Sequence, residues 1–463
     1  MYLIIFLLAI NLFKISIARY FPLIGDESFY WLWSRHLALS YDSHPPMISY
    51  INFILTSLFG PSELAIRLTA IIIVFSISLF IYRTGKELFD SRAAAVAVIV
   101  FNLLPTFWAG GMFLVPQTVF FFFWALSFYL LVLIIKHKNA SLWSLLGLTV
   151  GLGLLSDHVM ALFVIGTLIF FGFVREQRFW FTKKEPYLAS LIILIVYSPV
   201  IIWNFQNNFV PFHFWGGSVA PKVTEHLFNF FGLQMLLYTP PILVMTIYQL
   251  FRLRPGLPAR DSQNFLLAIF SSVVFLPFLM ISPIVNVGGH WPAASYFPAI
   301  LGSGQVKKII LGLTIFFALL VNILGFTYFL FLYPTPPELK GKEFTINRSL
   351  PEFLKSATPK KGSTFYFANN LGLLGLVSFH GKTNAYMASG RMWLVDQWET
   401  PNIKKGDNVL YFVLDETTLY TKLKPLFRKV WIEPQPRIFA KDADIPTKTQ
   451  IYHCIGYKGG LIP

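Results

Sequence analysis

The chain has 463 residues, of which 55% are hydrophobic and only 13% charged, with a mean hydropathy of +0.61. A soluble domain carries about a quarter charged residues, so this composition argues against a water-soluble fold and for a polytopic membrane protein. The formal charge of +15 would suit a nucleic-acid partner, but in a membrane protein surplus Lys and Arg collect in inner-face loops, and no nucleic-acid partner is expected.

The single cysteine, Cys454, rules out an intramolecular disulfide and any cysteine-based metal cluster. Residues 1–17 lack a basic start and a small-residue cleavage site. They read as an uncleaved first span, with Lys14 and Arg19 able to snorkel at its end. Since a span needs about 20 apolar residues, eleven are expected, at roughly 1–18, 64–82, 93–109, 117–135, 141–155, 159–174, 187–203, 228–251, 264–283, 291–306 and 309–332.

Charge sets the orientation. One set of connections holds 14 basic residues, among them Arg83, Lys136, Arg175, Arg252 and Lys307, against five acids. The alternate set, 19–63, 110–116, 156–158, 204–227 and 284–290, holds Arg19, Arg35 and Lys222 against six acids. The first set is then cytoplasmic, the N-terminus inside, and the loop 19–63 and everything after Tyr333 outside. Within that loop, Phe29–Leu39 is expected to lie along the membrane surface as an amphipathic helix.

After Tyr333 the composition changes. Pro334, Pro336 and Pro337 form a linker, charged residues become common, and the remaining residues are enough for one small domain. Strands are expected at Ser363–Ala368, Asn408–Asp415, Lys429–Glu433 and Gln450–Tyr457, with a helix at Leu371–Phe379. The expected architecture is a polytopic α-helical membrane domain over 1–333 and an extracytoplasmic α/β domain over 334–463.

From the third span to the eleventh no Asp, Glu, Lys or Arg lies inside a span. Ion and proton pathways depend on such groups, so a proton-coupled transporter is disfavoured, whereas a catalyst working at one face needs none. Polar side chains and histidines collect instead at the outer ends: Asp26, Glu27, His44, Gln117, Asp157, His158, Asn204, His213 and His290 all map there. A single external hollow lined by these ends is expected.

Two readings of Asp26-Glu27 stand. The pair is either two solvated acids at a membrane boundary, or a general base for an acceptor hydroxyl with a neighbour that orients the acceptor or binds a metal. His44-Pro45-Pro46 is a turn before a re-entering helix, with His44 able to donate to a phosphate. Carboxylate and imidazole are suitable metal ligands, so Glu27, Asp157 and His158 are the candidates for a divalent ion. Trp203-Asn204 and His290-Trp291 are either interfacial anchors or the lining of a sugar pocket. No Gly-rich phosphate loop points to a nucleotide sugar.

Taken in order, Asp26-Glu27, Tyr30-Trp31-Leu32-Trp33, His44-Pro45-Pro46, Gly60-Pro61-Ser62-Glu63 with Arg67, Ser198-Pro199 through Asn204, Phe212-His213-Phe214, His290-Trp291-Pro292, Gly390-Arg391 and Asp396-Gln397-Trp398 resemble the bacterial branch of the protein mannosyltransferase and aminoarabinose transferase family. These are GT-C polyprenyl-phosphate-sugar glycosyltransferases. The resemblance implies a polyprenyl-phosphate sugar donor, an acceptor that is an envelope glycolipid, a glycan or a protein, and an inverting displacement with Asp26 as base. Under it, Arg67, His44 and His290 become candidates for the leaving phosphate. Two positions depart from the family pattern: Gln117 stands where relatives carry Asp, and Asp157-His158 where they carry Lys-Tyr. The resemblance also implies a bacterial inner-membrane location. A non-catalytic transporter or flippase of polyprenyl-linked lipids, and a membrane anchor presenting the C-terminal domain, are the alternatives.

Overall fold

A computed structural model describes residues 2–18, 23, 25–211, 222–253, 261–327, 350, 353–359, 362–369, 371–387, 401–414, 419–433, 439–442, 445–460 and 462. His213 and the segments Gly390-Arg391 and Asp396–Trp398 lie outside the described residues.

The chain is a polytopic helical membrane protein. Five described helices are long and apolar enough to cross a bilayer: Glu63–Leu88, Pro116–His137, Glu185–Gln206, Ser262–Ile281 and Lys308–Thr327. Two bent pairs bring the number to seven. Shorter apolar helices include Tyr2–Ala18, Met47–Phe59, Ser91–Leu103 and Leu142–Leu154.

Several expected spans are broken rather than continuous. Residues 228–251 form Val223–Tyr238 and Pro240–Phe251, bent by 114°. The bend is at Thr239, which sits at φ +67 before Pro240. A β-branched residue there is strained, and the following proline cannot supply the N–H that would continue the helix. Residues 291–306 form two short 3-10 turns around the six-residue helix Phe297–Gly302. Their apolar character comes from complete burial, Tyr296 through Leu301 being almost without exposed surface, and not from a membrane-length helix.

The described residues divide into two compact units. The first contains Met1–Ile15, Leu39–Met47 and Arg67–Leu332. Its core is aromatic, with Trp124 edge-on to Phe163 at 5.2 Å and Phe128 edge-on to Phe270 at 5.0 Å. Helices approach closely where glycine allows it. A Cβ on Gly147 would lie 2.6 Å from the Ala189 carbonyl oxygen and one on Gly151 2.8 Å from Val196, the small-xxx-small spacing that lets membrane helices touch backbones.

Helix ends are capped by acids: Asp90 accepts from the backbone N–H groups of Arg92 and Ala93, and Asp261 from that of Asn264. Three of the basic connections, around Glu87, Lys136 and Gln177, meet one another. Lys136 pairs with Glu87 at 3.2 Å, and the Gln177 amide donates to the Ile135 carbonyl.

The second unit contains Ser16–Ala38, Ile48–Ile66 and Tyr333–Pro463. Residues of the segments 16–38 and 48–66 and of the C-terminal segment thus belong to one body. Its sheet is mixed, in the order β2-β1-β3-β6-β4 with β5 on β6. The strands are β1 Thr364–Ala368, β2 Ala385–Met387, β3 Asn408–Leu414, β4 Phe427–Ile432, β5 Phe439–Asp442 and β6 Ile445–Tyr457. β1 runs parallel to β2 and β3, while β6 is antiparallel to β3, β4 and β5. The four expected strands are present, and β2 and β5 are additional.

The expected amphipathic helix Phe29–Leu39 is corrected. The helix is Gly25–Trp33, and Phe29 through Trp33 are all buried. It is held by the helix Leu371–Gly381: the Ser28 hydroxyl donates to the Gly372 carbonyl at 3.1 Å, and Trp31 meets Phe379 edge-on at 4.9 Å. A Cβ on Gly375 would lie 2.5 Å from the Ser28 carbonyl carbon, so only glycine permits this approach. Gly375→Val is therefore expected to force the two helices apart at a cost of about 1–3 kcal/mol. Thermal unfolding of the purified protein in detergent would show a lowered midpoint, and an unchanged midpoint would contradict the packing described.

Candidate active site

The candidate residues fall in both units. In the second, Asp26 and Glu27 occupy the first turn of the helix Gly25–Trp33, where the helix dipole favours negative charge. Successive helical residues point about 100° apart, and the two carboxylates separate accordingly: Asp26 is exposed while Glu27 is fully buried. An exposed carboxylate can receive a proton from an incoming hydroxyl. A buried one is suited to holding its helix.

In the first unit two histidines act on a third. His158 and His290 both depress His44, whose imidazole falls to about 4, with burial the larger cause. Burial also lowers His158 and His290. Both nevertheless keep accessible surface, as side chains on the wall of a recess do. At neutral pH the three rings are therefore uncharged, and each retains one N–H donor.

The local sequence explains how each ring is placed. The His44 carbonyl accepts from the Tyr41 N–H at 3.3 Å, and the Met47 N–H donates to the Leu155 carbonyl at 2.9 Å. Pro45 and Pro46 thus set a turn pinned to the end of the helix Leu142–Leu154. His158 follows Asp157, whose carboxylate caps a 3-10 turn by accepting from the Val159 N–H at 2.9 Å. The Tyr197 hydroxyl lies 2.9 Å from His158 Nδ1. When it donates there, the ring proton sits on Nε2.

His290 is carried by Gly288-Gly289. Added Cβ atoms would come within 2.6 Å of Trp291 Nε1 and 2.7 Å of Leu237. Gln234, fully buried, donates to the Gly289 carbonyl at 3.2 Å and accepts from the Tyr296 hydroxyl at 2.9 Å. Tyr296 in turn stacks on Tyr238 at 3.8 Å.

Arg67 is completely buried with its guanidinium over the Phe113 ring at 5.6 Å. Asn204 spends its amide on the Val200 carbonyl of its own helix, at 2.9 Å, while its carbonyl oxygen is buried without a hydrogen-bond partner among the described residues. Trp291 is half-buried. Among the described residues no three His, Cys, Asp or Glu side chains come together as a metal-binding group. Asp157 already serves as a helix cap, and Glu27 belongs to the other unit.

Tyr197 and Gln234 escaped the sequence reading because both sit inside apolar runs that looked like plain span. Polar side chains in those runs were the available signal.

Comparisons with known proteins bear on the same residues. Residues 43–203 match the family described as dolichyl-phosphate-mannose-protein mannosyltransferase. The match agrees with the resemblance read from the motifs over that segment. The match contains His44, Arg67, Asp157 and His158, while Asp26, Glu27 and His290 lie outside it. The chain is 23% identical over 276 residues to the lipid A galacturonosyltransferase RgtD of Rhizobium johnstonii, and it spans 58% of that protein's length.

The fold is that of ArnT from Cupriavidus metallidurans. The apo structure superposes with a TM-score of 0.65 at 13% identity, and the structure bound to undecaprenyl phosphate with 0.67 at 12%, each over 97% of both chains.

Burial raises the Asp157 carboxyl from its ordinary 3.8 to about 6. Its charged form is thus penalised in the folded state, fully above pH 6 and not at all below the unfolded value. His44 carries the opposite sign, since its charged form is penalised only as pH falls below 6.5 toward 4. Asp157→Asn keeps the capping oxygen and removes the penalty. Its melting temperature is expected to exceed the wild type's by a few degrees at pH 8 and to match it at pH 4. Melts in detergent at both pH values check this, and equal melting at pH 8 would refute it.

Proposed function

We propose that this chain is an integral-membrane glycosyltransferase that moves a sugar from a polyprenyl-phosphate donor, with inversion, onto an envelope glycolipid, glycan or protein acceptor. The observation that carries this reading is the family match over 43–203, which falls on the segment supplying His44, Arg67, Asp157 and His158. The relatives' names add support, one acting on lipid A and one crystallised with undecaprenyl phosphate. A bacterial inner-membrane location follows from the same likeness. The orientation belongs to the proposal too: the N-terminus inside, and the 334–463 domain on the periplasmic side.

In the reaction, Asp26 accepts the proton of the acceptor hydroxyl. The oxygen attacks the anomeric carbon from the face opposite the phosphate, the carbon–oxygen bond to phosphate breaks, and polyprenyl phosphate leaves. Charge accumulates on the leaving oxygens, where donors already in place stabilise it without reorganisation. Arg67 supplies a permanent positive charge. The neutral rings of His44, His158 and His290 supply N–H donors, the His158 tautomer being fixed by Tyr197. Asn204 and Trp291 are assigned to the sugar, and His213, outside the described residues, is kept as a candidate for substrate binding. No step is routed through a metal, for which Glu27, Asp157 and His158 remain the candidate ligands.

Asp26→Asn is expected to lower sugar transfer at least ~100-fold while undecaprenyl-phosphate binding and expression stay at wild-type levels. Transfer to envelope glycolipid, followed by mass spectrometry, reads the outcome. Undiminished transfer would remove Asp26 from this role, and lipid movement without any transfer in the wild type would favour a flippase. Tyr197→Phe deletes one hydrogen bond worth about 1 kcal/mol. A roughly fivefold rise in the donor KM is expected, with little change in kcat.

A further inference from the structure

A narrow crevice opens on the side of the first unit, between the helix Ala161–Phe173 and the close pair Leu142–Leu154 and Glu185–Gln206. Its volume is about 70 Å³. That is well below the ~300–1,000 Å³ that encloses a small organic ligand, so a slender chain fits it and a saccharide does not. The floor includes Trp143, Phe163, Phe171 and Trp180, all buried, and the rim carries the exposed side chains of Leu168 and Phe181. An exposed apolar rim on a membrane-spanning bundle meets hydrocarbon, so the occupant enters from the bilayer.

The 3-10 helix Arg175–Thr182 stands at one end of the crevice, to which it contributes Trp180 and Phe181. It turns by 112° from the helix before it, and neutral contacts hold it there. The Gln177 amide donates to the Ile135 carbonyl at 3.2 Å, Arg178 Nε donates to the Gly172 carbonyl at 2.8 Å, and Lys138 Nζ lies over the Phe179 ring at 5.6 Å. Five exposed cations gather at this end, Lys138, Arg175, Arg178, Lys183 and Lys184, against two acids, the exposed Glu176 and the half-buried Glu185. Arg175, Lys183 and Lys184 have no ion-pair partner among the described residues. Clustered cations at the edge of a bilayer attract anionic lipid headgroups.

The two tryptophans give a second, independent signal. Trp143 and Trp180 meet edge-on at 5.4 Å and are 5% and 2% exposed, yet neither indole N–H has a hydrogen-bond acceptor among the described residues. A buried indole N–H ordinarily finds one. Two such donors beside one apolar crevice match an occupant that brings carbonyl oxygen with it. An acidic glycerophospholipid has all three features: a phosphate, an unbranched hydrocarbon chain, and an ester carbonyl at the junction between them. A polyprenyl phosphate has the charge and the hydrocarbon, but its chain is methyl-branched and carries no carbonyl.

We propose that the crevice at Trp143 and Trp180 holds one acyl chain of an acidic glycerophospholipid, with the ester group at the indoles and the phosphate on Arg175, Lys183 and Lys184. The site stands at the other end of the helix Ala161–Phe173 from His158, and it does not depend on the glycosyltransferase reading. The bound lipid ties the helix Arg175–Thr182 to the end of the bundle.

The test titrates the delipidated full-length chain, in detergent, with dioleoylphosphatidylglycerol, dioleoylphosphatidylcholine or undecaprenyl phosphate and counts bound lipids by native mass spectrometry. Phosphatidylglycerol is expected to bind about tenfold more tightly than phosphatidylcholine. Changing Arg175→Gln, Lys183→Gln and Lys184→Gln together is expected to abolish that preference. Ser190→Trp fills the crevice from an exposed position on its rim and is expected to weaken phosphatidylglycerol about tenfold, with undecaprenyl phosphate unchanged. All four positions are exposed, so both variants are expected to keep the wild-type melting temperature, and either one alone still tests the site.

Equal binding of the two phospholipids would overturn the proposal, as would a preference that survives removal of the three cations or phosphatidylglycerol binding insensitive to Ser190→Trp. A loss of undecaprenyl-phosphate binding in Ser190→Trp would also overturn it, by giving the crevice to a polyprenyl chain. The readout is lipid binding, so its failure is distinct from any failure of Asp26→Asn to abolish transfer.

Discussion

The contact on which the second unit depends is the close approach of two short helices at Gly375. Ser28 sits against it with no room for a side chain, and its hydroxyl bridges to the Gly372 carbonyl. This approach fixes the axis and rotation of the helix Gly25–Trp33. Rotation decides that Asp26 faces outward and Glu27 inward, and axis decides that Trp31 meets Phe379. A base proposed for catalysis and the ring contact of Trp31 with Phe379 are thus set by one backbone contact. The cost of loosening it is felt at both.

The first unit solves a different problem, how to gather polar groups at the end of an apolar bundle. It does so with irregular backbone. The Thr239 bend, the Gly288-Gly289 loop and the 3-10 turns around Phe297–Gly302 leave room for the ring of His290 and carry it on backbone held by Gln234 and Tyr296. His44 is carried by a proline turn and His158 by a capped one. Continuous helices could not bring three imidazoles from three distant segments into electrostatic contact. Burial, joined at His44 by the neighbouring rings, disfavours their charged forms, so that the buried charge at Arg67 is the permanent positive contribution from this group of residues in the proposed reaction. Donors that need no protonation are useful to a leaving group that arrives already negative.

Charge separation runs through the same unit. Acids cap helices at the basic end, where Asp90, Glu87 and Asp261 satisfy backbone donors or pair with Lys136. At the other end polar groups are half-buried and shifted. The distinction is between acids that stabilise helix ends in contact with solvent and groups whose burial alters their protonation. Asp157 belongs to both classes, capping its turn while burial pushes its carboxyl up to about 6.

The sequence by itself determined the class of protein, the alternation of basic and acidic connections, the position of most helices, four of the six strands, and the candidate residues of the proposed site. These follow from composition, local periodicity and motif order, which are properties of short stretches of chain. Tertiary structure decided what depends on groups distant in sequence. Residues 291–306 looked like a span because buried residues are as apolar as lipid-facing ones, and residues 228–251 looked continuous because the bend at Thr239 leaves the apolar run unbroken; only packing tells these apart. Phe29–Leu39 looked like a surface helix because its cover, Leu371–Gly381, lies more than three hundred residues away. The roles of Tyr197 and Gln234 and the grouping of the segments 16–38 and 48–66 with the C-terminal segment have the same origin: each is made by a contact that no local window of sequence contains.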